Sequence, residues 1–262
     1  MPISALHVAR TGLEAQDARM RVIANNLANI ATTGFKRDRA NFATLAYQDA
    51  RVAGQRSTGE TAYAIGLNLG TGVGLQGTSR IDTQGTLDTT GNAFDLALDG
   101  DGYFQVQMPD GTLSYTRAGN FTMDAQGQLV TPQGFAVQPA INVPQGATSV
   151  TIAPDGTVSA MLDGEAEPAE IGQLTIARFA NAAGLQASGD NFLLETAASG
   201  PAELGVAGTE GRGSIRQGML EASNVNVVEE LVGMIEAQRA YEINSKMISA
   251  VDEMLRNANQ TL

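Results

Sequence analysis

Two amphipathic stretches lie at opposite ends of this chain, and neither has a helical neighbour in sequence. In the first, residues 4–30, Leu6, Leu13, Met20, Ile23, Leu27 and Ile30 recur at spacings of three, four and seven, with Ala9 and Gln16 filling the series. That spacing is close to a heptad seam and predicts a helix with one apolar stripe. In the second, residues 224–257, a similar stripe runs through Val228, Leu231, Ile235, Tyr241, Ile248, Val251 and Leu255, with interruptions at Gln238 and near Ser245. Asn226 followed by Glu229 suits the start of that helix as a variant capping box. Each stripe must be covered. A surface helix on its own domain core is one solution. Pairing the two helices is another, and it brings the chain ends together. Two long, narrow stripes do not wholly cover each other, so the surface left over is suited to further copies. Head-to-tail contacts whose rotation does not close build a helical filament or tube.

The segment Ala31-Thr32-Thr33-Gly34-Phe35-Lys36 ends the first helix, because β-branched threonines and a glycine propagate it poorly. Residues 48–80 lack a clean period and read as a long loop or hairpin, dense in glycine from Gly66 to Gly77. A loop of that length is uncommon in a compact domain unless it has a task. Residues 81–215 alternate in short apolar runs, as at Phe94, Leu96 and Leu98 or Phe104, Val106 and Met108. Tight-turn pairs such as Asp110-Gly111 and Asp155-Gly156 punctuate them, the signature of strands joined by hairpins. The expected class is α+β. Residues 1–35 and 220–262 form a terminal helical core domain, and 36–80 form a linker and extended loop or hairpin. Residues 81–139 and 201–219 form an inner β-rich domain, and 140–200 an outer β lobe.

Composition narrows the functions open to such a chain. Its formal net charge is -12, which disfavours nucleic acid and anionic membrane surfaces. The charge is uneven: residues 1–40 carry six basic and three acidic side chains, whereas residues 221–262 carry three basic and seven acidic. Oppositely signed ends attract weakly. There is no cysteine, so disulfides and thiolate metal sites are excluded. No stretch approaches a membrane span or the apolar core of a cleaved signal peptide. His7 is the single histidine, and no serine sits in a nucleophile elbow. Gly72-Val73-Gly74-Leu75-Gln76-Gly77 matches G-x-G-x-x-G, but no helix pattern follows it, so it reads as a glycine loop and not a nucleotide cradle. Asp95, Asp99 and Asp101 do not fit a calcium loop and read as turn residues. No catalytic residue, cofactor or metal ligand is assigned.

The motifs at the two ends are recognisable. The first comprises Thr11-Gly12-Leu13-Glu14-Ala15, Ile23-Ala24-Asn25-Asn26-Leu27-Ala28-Asn29 and Thr32-Thr33-Gly34-Phe35-Lys36-Arg37. The second comprises Gln217-Gly218-Met219-Leu220-Glu221-Ala222-Ser223-Asn224-Val225-Asn226 and Met234-Ile235-Glu236-Ala237-Gln238-Arg239-Ala240-Tyr241-Glu242. Together they resemble the bacterial flagellar rod and hook family, along the whole chain. Length and the stretch near residues 46–75 resemble the distal rod members, in which that stretch is associated with a straight, stiff rod. The version here, Arg51-Val52-Ala53-Gly54-Gln55-Arg56, departs from the enterobacterial form. The resemblance implies a structural subunit exported unfolded through the flagellar type III apparatus, without a cleaved signal peptide. It implies polymerisation in the periplasm into a hollow rod that transmits torque to the hook. The partners would be other copies of the chain, proximal rod proteins, the hook protein and the P and L ring proteins. The helical stripes would then serve assembly. Asn25, Asn26, Asn29, Gly34, Phe35, Ser223, Asn224, Asn226 and Arg239, which match the family motifs, would serve packing and chain turns. A proximal rod or hook-type subunit is the close alternative, and a secreted β-rich hydrolase with helical ends the remote one.

Overall fold

The computed structural model describes residues 2–51, 54, 56, 64–163 and 167–260. The architecture is α+β, as the sequence indicates, and the chain divides into two compact units. One contains Met1–Leu27, Asp38–Ser79 and Asn226–Leu262, and the other Ala28–Arg37 and Arg80–Val225.

The first unit holds helix α1, Pro2–Ala28, and helix α2, Val227–Gln260. Four contacts fix their relation. Asn26 meets Glu230, Ile23 lies against Gly233, Arg19 pairs with Glu236, and Gly12 faces Asn244. As the α1 number falls from 26 to 12, the α2 number rises from 230 to 244, so the helices are antiparallel. The helix expected over 4–30 stops at Ala28. Asn29 captures the chain there by accepting from the Thr32 amide at 3.1 Å and hydroxyl at 3.2 Å, which leaves Ile30 in a turn.

A β ribbon completes this unit. Strand Asp38–Thr44 pairs with Val73–Arg80, and Gln48–Arg51 pairs antiparallel with Leu67–Leu69. The glycine motif at residues 72–77 is therefore the start of a strand and not a loop. Val73 donates to Thr11 Oγ1 on α1 at 3.4 Å. Gly72 has φ +117, and a Cβ there would stand 2.1 Å from that same hydroxyl oxygen. Glycine is required because backbone passes directly over a helix. Of the stretch Arg51–Arg56, Val52, Ala53 and Gln55 lie outside the described residues, as do residues 57–63.

In the second unit a nine-stranded sheet is centred on Tyr103–Gln107, which pairs with Leu113–Thr116, Ala136–Gln138 and Thr175–Arg178. The Asp110-Gly111 turn forms as expected. Asp110 accepts from the Thr112 amide at 3.0 Å and hydroxyl at 2.6 Å. Successive side chains of Tyr103–Gln107 point to opposite faces. Phe104 enters one core with Leu96, Leu98, Phe121, Ile176 and Ile215, and Tyr103 enters another with Tyr115, Phe179 and Leu193. A three-stranded sheet, Ala147–Ile152, Thr157–Leu162 and Ala169–Gln173, contributes Ile152 and Val158 to the first core. Strand Phe192–Leu194 joins the large sheet through Leu193 opposite Tyr115.

The Phe121 segment enters the core because Gly119 lies against backbone, where a Cβ would fall 1.6 Å from the Leu96 carbonyl oxygen. Gly119→Ala should lower stability by about 3 kcal/mol, since backbone cannot yield as a side chain does. Gly70→Ala, whose Cβ would meet only Tyr47 Cε1 at 3.6 Å, should change it by less than about 0.5 kcal/mol. Equilibrium urea unfolding of the two variants, followed by circular dichroism, checks the contrast.

Candidate functional site

Two features stand out, one in each unit. The first is the contrast between two sides of α2. The side facing α1 is spaced by seven along Glu230, Ala237, Asn244 and Val251. Three of these, Glu230, Ala237 and Val251, are buried. On α1 the matching positions include Gly12, Arg19, Ile23 and Asn26. This is a seam of small and polar side chains. Asn26 Nδ2 donates to Glu230 Oε1 at 3.2 Å and to the Asp38 carbonyl at 2.9 Å, and its Oδ1 accepts from the Asp38 amide at 2.9 Å. Arg19 reaches Glu236 at 3.1 Å. A second side of α1, at Thr11 and Ala15, packs toward the ribbon. There Thr11, Ala15, Ala18, Val22, Val73 and Leu75 help to line an open groove of about 440 Å³.

Much of the apolar stripe expected on α2 lies away from this seam. Val228 is 69% exposed, and Leu231, Ile235 and Tyr241 are exposed as well, joined by Val232, Ile243, Met247 and Met254. Ile248 and Leu255 are half-buried and Val251 is buried. On α1, Leu6, Leu13, Met20 and Leu27 are half-buried, and Ile23 is buried. The ribbon adds Tyr47, Ile65 and Leu75, all exposed. An apolar surface of this extent on an isolated chain marks an interaction face.

The second feature is a buried ionic junction in the β-rich unit. Glu221, 1% exposed, receives Lys36 Nζ on Oε1 at 2.5 Å, the Gly85 amide on the same oxygen at 3.0 Å, and Arg117 Nη1 on Oε2 at 3.3 Å. Lys36 also donates to the Thr83 carbonyl at 2.8 Å, and Arg117 Nη2 to that of Gly100 at 2.8 Å. The guanidinium lies 5.4 Å from the centroid of the Tyr103 ring. The backbone closes the same knot, with the Gly34 amide donating to the Glu221 carbonyl at 2.7 Å. Gly34 has φ +66, and a Cβ there would lie 2.6 Å from the Arg117 carbonyl carbon. Beside it, Asn224 Oδ1 accepts from the Arg37 amide at 2.7 Å, while Nδ2 donates to the carbonyls of Ile81 at 2.8 Å and Thr83 at 2.9 Å.

The remaining motif residues take local roles. Phe35 is half-buried, and its carbonyl accepts from the Asn224 amide at 3.4 Å. Ser223 Oγ accepts from the Val225 amide at 3.3 Å. Asn226 caps α2 by accepting from Val228 at 3.1 Å and Glu229 at 3.5 Å. Asn25 and Arg239 are exposed on their helices. Asp95 is held by Thr90 and Asn92, and Asp99 pairs with Arg216. Among the described residues, no group of three or more His, Asp or Glu side chains is placed to hold a metal ion. Arg117 and Glu221 were not singled out by sequence. Arg117 directly follows the strand Leu113–Thr116, whose last three residues are all buried, and no pattern in the sequence marks it.

Burial sets the protonation energetics of the junction. It lowers the Lys36 ammonium despite the Glu221 hydrogen bond. It raises the Tyr103 phenol, with further support from the Asp82 carboxylate. Tyr115 is raised by burial too. A raised folded value means that the protonated phenol contributes stability below its ordinary value of about 10 and loses it as pH climbs toward the folded value. Lys36 has the opposite sign. Its buried charge costs stability below the lowered folded value, and deprotonation relieves that cost.

The chain is similar to known proteins along its length. Residues 6–36 match the family described as "Flagella basal body rod protein". Residues 97–160 match "Flagellar hook protein FlgE/F/G D1 domain", and residues 216–261 match "Flagellar basal body rod FlgEFG protein C-terminal". The chain is 50% identical to the flagellar basal-body rod protein FlgG of Buchnera aphidicola subsp. Acyrthosiphon pisum, over 98% of this chain and 99% of the relative. It is 46% identical to FlgG of Caulobacter vibrioides, again over 98% and 99%. To FlgF of that same organism it is 34% identical, over 99% and 98%.

Glu221→Ala would strand two buried cations and should cost about 3–5 kcal/mol. Lys36→Met should cost clearly less, because Arg117 and the Gly85 amide still satisfy the carboxylate. Urea midpoints rank the two. In an alkaline titration followed at the phenolate absorbance band, Tyr103 should release its proton only as the fold is lost. Ionisation of all five tyrosines with the native circular dichroism intact would contradict this placement.

Proposed function

The chain belongs to the FlgG-type family of flagellar basal-body rod proteins and is a structural subunit of the rod, not an enzyme, and on that premise we propose that it polymerises into the hollow distal rod that carries torque from motor to hook. The observation that carries the reading is the division of labour on α2. A small and polar seam is used within the subunit, and the large apolar side chains Val228, Leu231, Ile235, Ile243 and Met247 are left exposed. Copies of the chain stack so that these faces become buried, and the tube is their cover.

In this reading the helical core, residues 1–35 and 220–262, lines the tube. Residues 36–80 reach between neighbours, 81–139 with 201–219 form the inner β layer, and 140–200 the outer one. The stripe residues Leu6, Leu13, Met20, Ile23, Leu27, Ile248, Val251 and Leu255 tune how closely helices approach. Proximal rod proteins and the hook protein adjoin the two ends of the polymer, and the P and L rings surround it. The chain travels through the flagellar export apparatus. Among the described residues, no helix is long and apolar enough to cross a membrane. A proximal rod or hook-type role is the second reading. The higher identity to FlgG than to FlgF of Caulobacter vibrioides favours the first.

The test is a pair of substitutions on the exposed face. Ile235→Asp with Ile243→Asp removes apolar surface that is half or more exposed in the single chain, so helical content should be unchanged while polymerisation is abolished. Sedimentation velocity and electron microscopy of the purified protein read the outcome. Tubes of normal length from the double variant would overturn the proposal.

A further inference from the structure

The chain passes between its two units four times, after Leu27, Arg37, Ser79 and Val225. Twist that passes along the chain from one unit to the other runs through these four covalent segments. Within the β-rich unit, three of the four are tied at their point of departure by one side chain. Asn224 is itself the residue before Val225. Its Oδ1 holds the amide of Arg37 at 2.7 Å, and its Nδ2 holds the carbonyl of Ile81 at 2.8 Å. The same Nδ2 reaches the carbonyl and hydroxyl oxygens of Thr83 at 2.9 Å and 3.1 Å. Backbone bonds close the ring, from the Ile81 amide to the Arg37 carbonyl at 2.9 Å and from the Asn224 amide to the Phe35 carbonyl at 3.4 Å.

We propose that Asn224 is a load-sharing staple, a positioning residue that makes three chain crossings respond to torque as one. The inference rests on the reading of this chain as a rod subunit. Its chemistry is specific to a carboxamide, the short side chain that offers both an acceptor and two donors from one rigid plane. A carboxylate at this position sets negative charge against two carbonyl oxygens. A hydroxyl cannot reach partners on both sides. Without the staple the crossings stay joined by the Ile81–Arg37 and Asn224–Phe35 backbone bonds, but fewer bonds share the load in parallel. The ionic junction next to it ties Lys36 to Thr83 and Glu221, farther along the chain from the crossings than Arg37, Ile81 and Asn224, so it shares load without holding the points of departure.

The experiment uses the full chain, exchanged at its own locus in a motile host. Asn224→Ala is compared with a core truncation, Val158→Ala, which leaves every Asn224 bond in place. Urea unfolding of both proteins scales the comparison to equal loss of stability. Assembled rods are counted by electron microscopy, and swimming is followed in media of rising viscosity. The expected result is that both variants build rods, and that Asn224→Ala cells stop swimming at a viscosity that wild type and Val158→Ala tolerate. Parallel viscosity curves for the two variants overturn the proposal. If Asn224→Ala is not incorporated, Thr83→Val removes only the hydroxyl acceptor, and a smaller shift in the same direction is required. Absence of rods from the wild-type chain would instead overturn the rod reading.

Discussion

Glu221 is the interaction on which the β-rich unit depends. A carboxylate that is almost wholly out of water is costly by itself, and two buried cations beside it are costly as well. Their mutual attraction offsets desolvation only if geometry is good and the remaining lone pairs are used. Both conditions hold, because Gly85 and the paired cations supply donors to the two carboxylate oxygens. The contacts join residues 36, 117 and 221. The Lys36 segment, the turn after strand Leu113–Thr116 and the Glu221 segment are thereby fixed to one carboxylate. Gly34 is part of the same solution, because only a residue without a Cβ passes so near the Arg117 backbone.

The helical unit solves a different problem. A strongly apolar seam would hold α1 and α2 together but would accept many registers. Polar residues at seam positions specify one register at some cost in stability. Asn26 against Glu230 and Arg19 against Glu236 do this, and Gly12 and Gly233 allow close approach. The adhesive side chains are placed elsewhere. The contacts that fix register within the subunit and the exposed apolar side chains proposed to join subunits lie on separate faces of one helix.

Periodicity revealed both helices, the Asp110-Gly111 turn and the α+β class, because each follows from local spacing and turn chemistry. It could not tell which α2 residues meet α1. The seam is built from Glu230, Ala237 and Asn244, which no hydrophobic pattern selects. The Gly72–Gly77 strand was hidden for a related reason. Its pairing with residues 38–44 and its seat on Thr11 are tertiary, and glycine has no strand preference of its own. The ionic junction joins side chains up to 185 positions apart. The motifs that hold Lys36 and Glu221 were visible, but their meeting with Arg117 was not.

The antiparallel seam also orders events in time. Asn26 and Glu230 are 204 positions apart, and Arg19 and Glu236 are 217 apart. The first helix to be synthesised therefore has the ribbon to pack on but no helical partner until the last one exists. Contacts of such long range delay completion of the fold. In the interval the β-rich unit, which is contiguous apart from residues 28–37, can settle around its own core. The exposed apolar side of α2 is completed last, as the final segment closes against the first. Completion of the subunit thus becomes a single late step in the life of each chain.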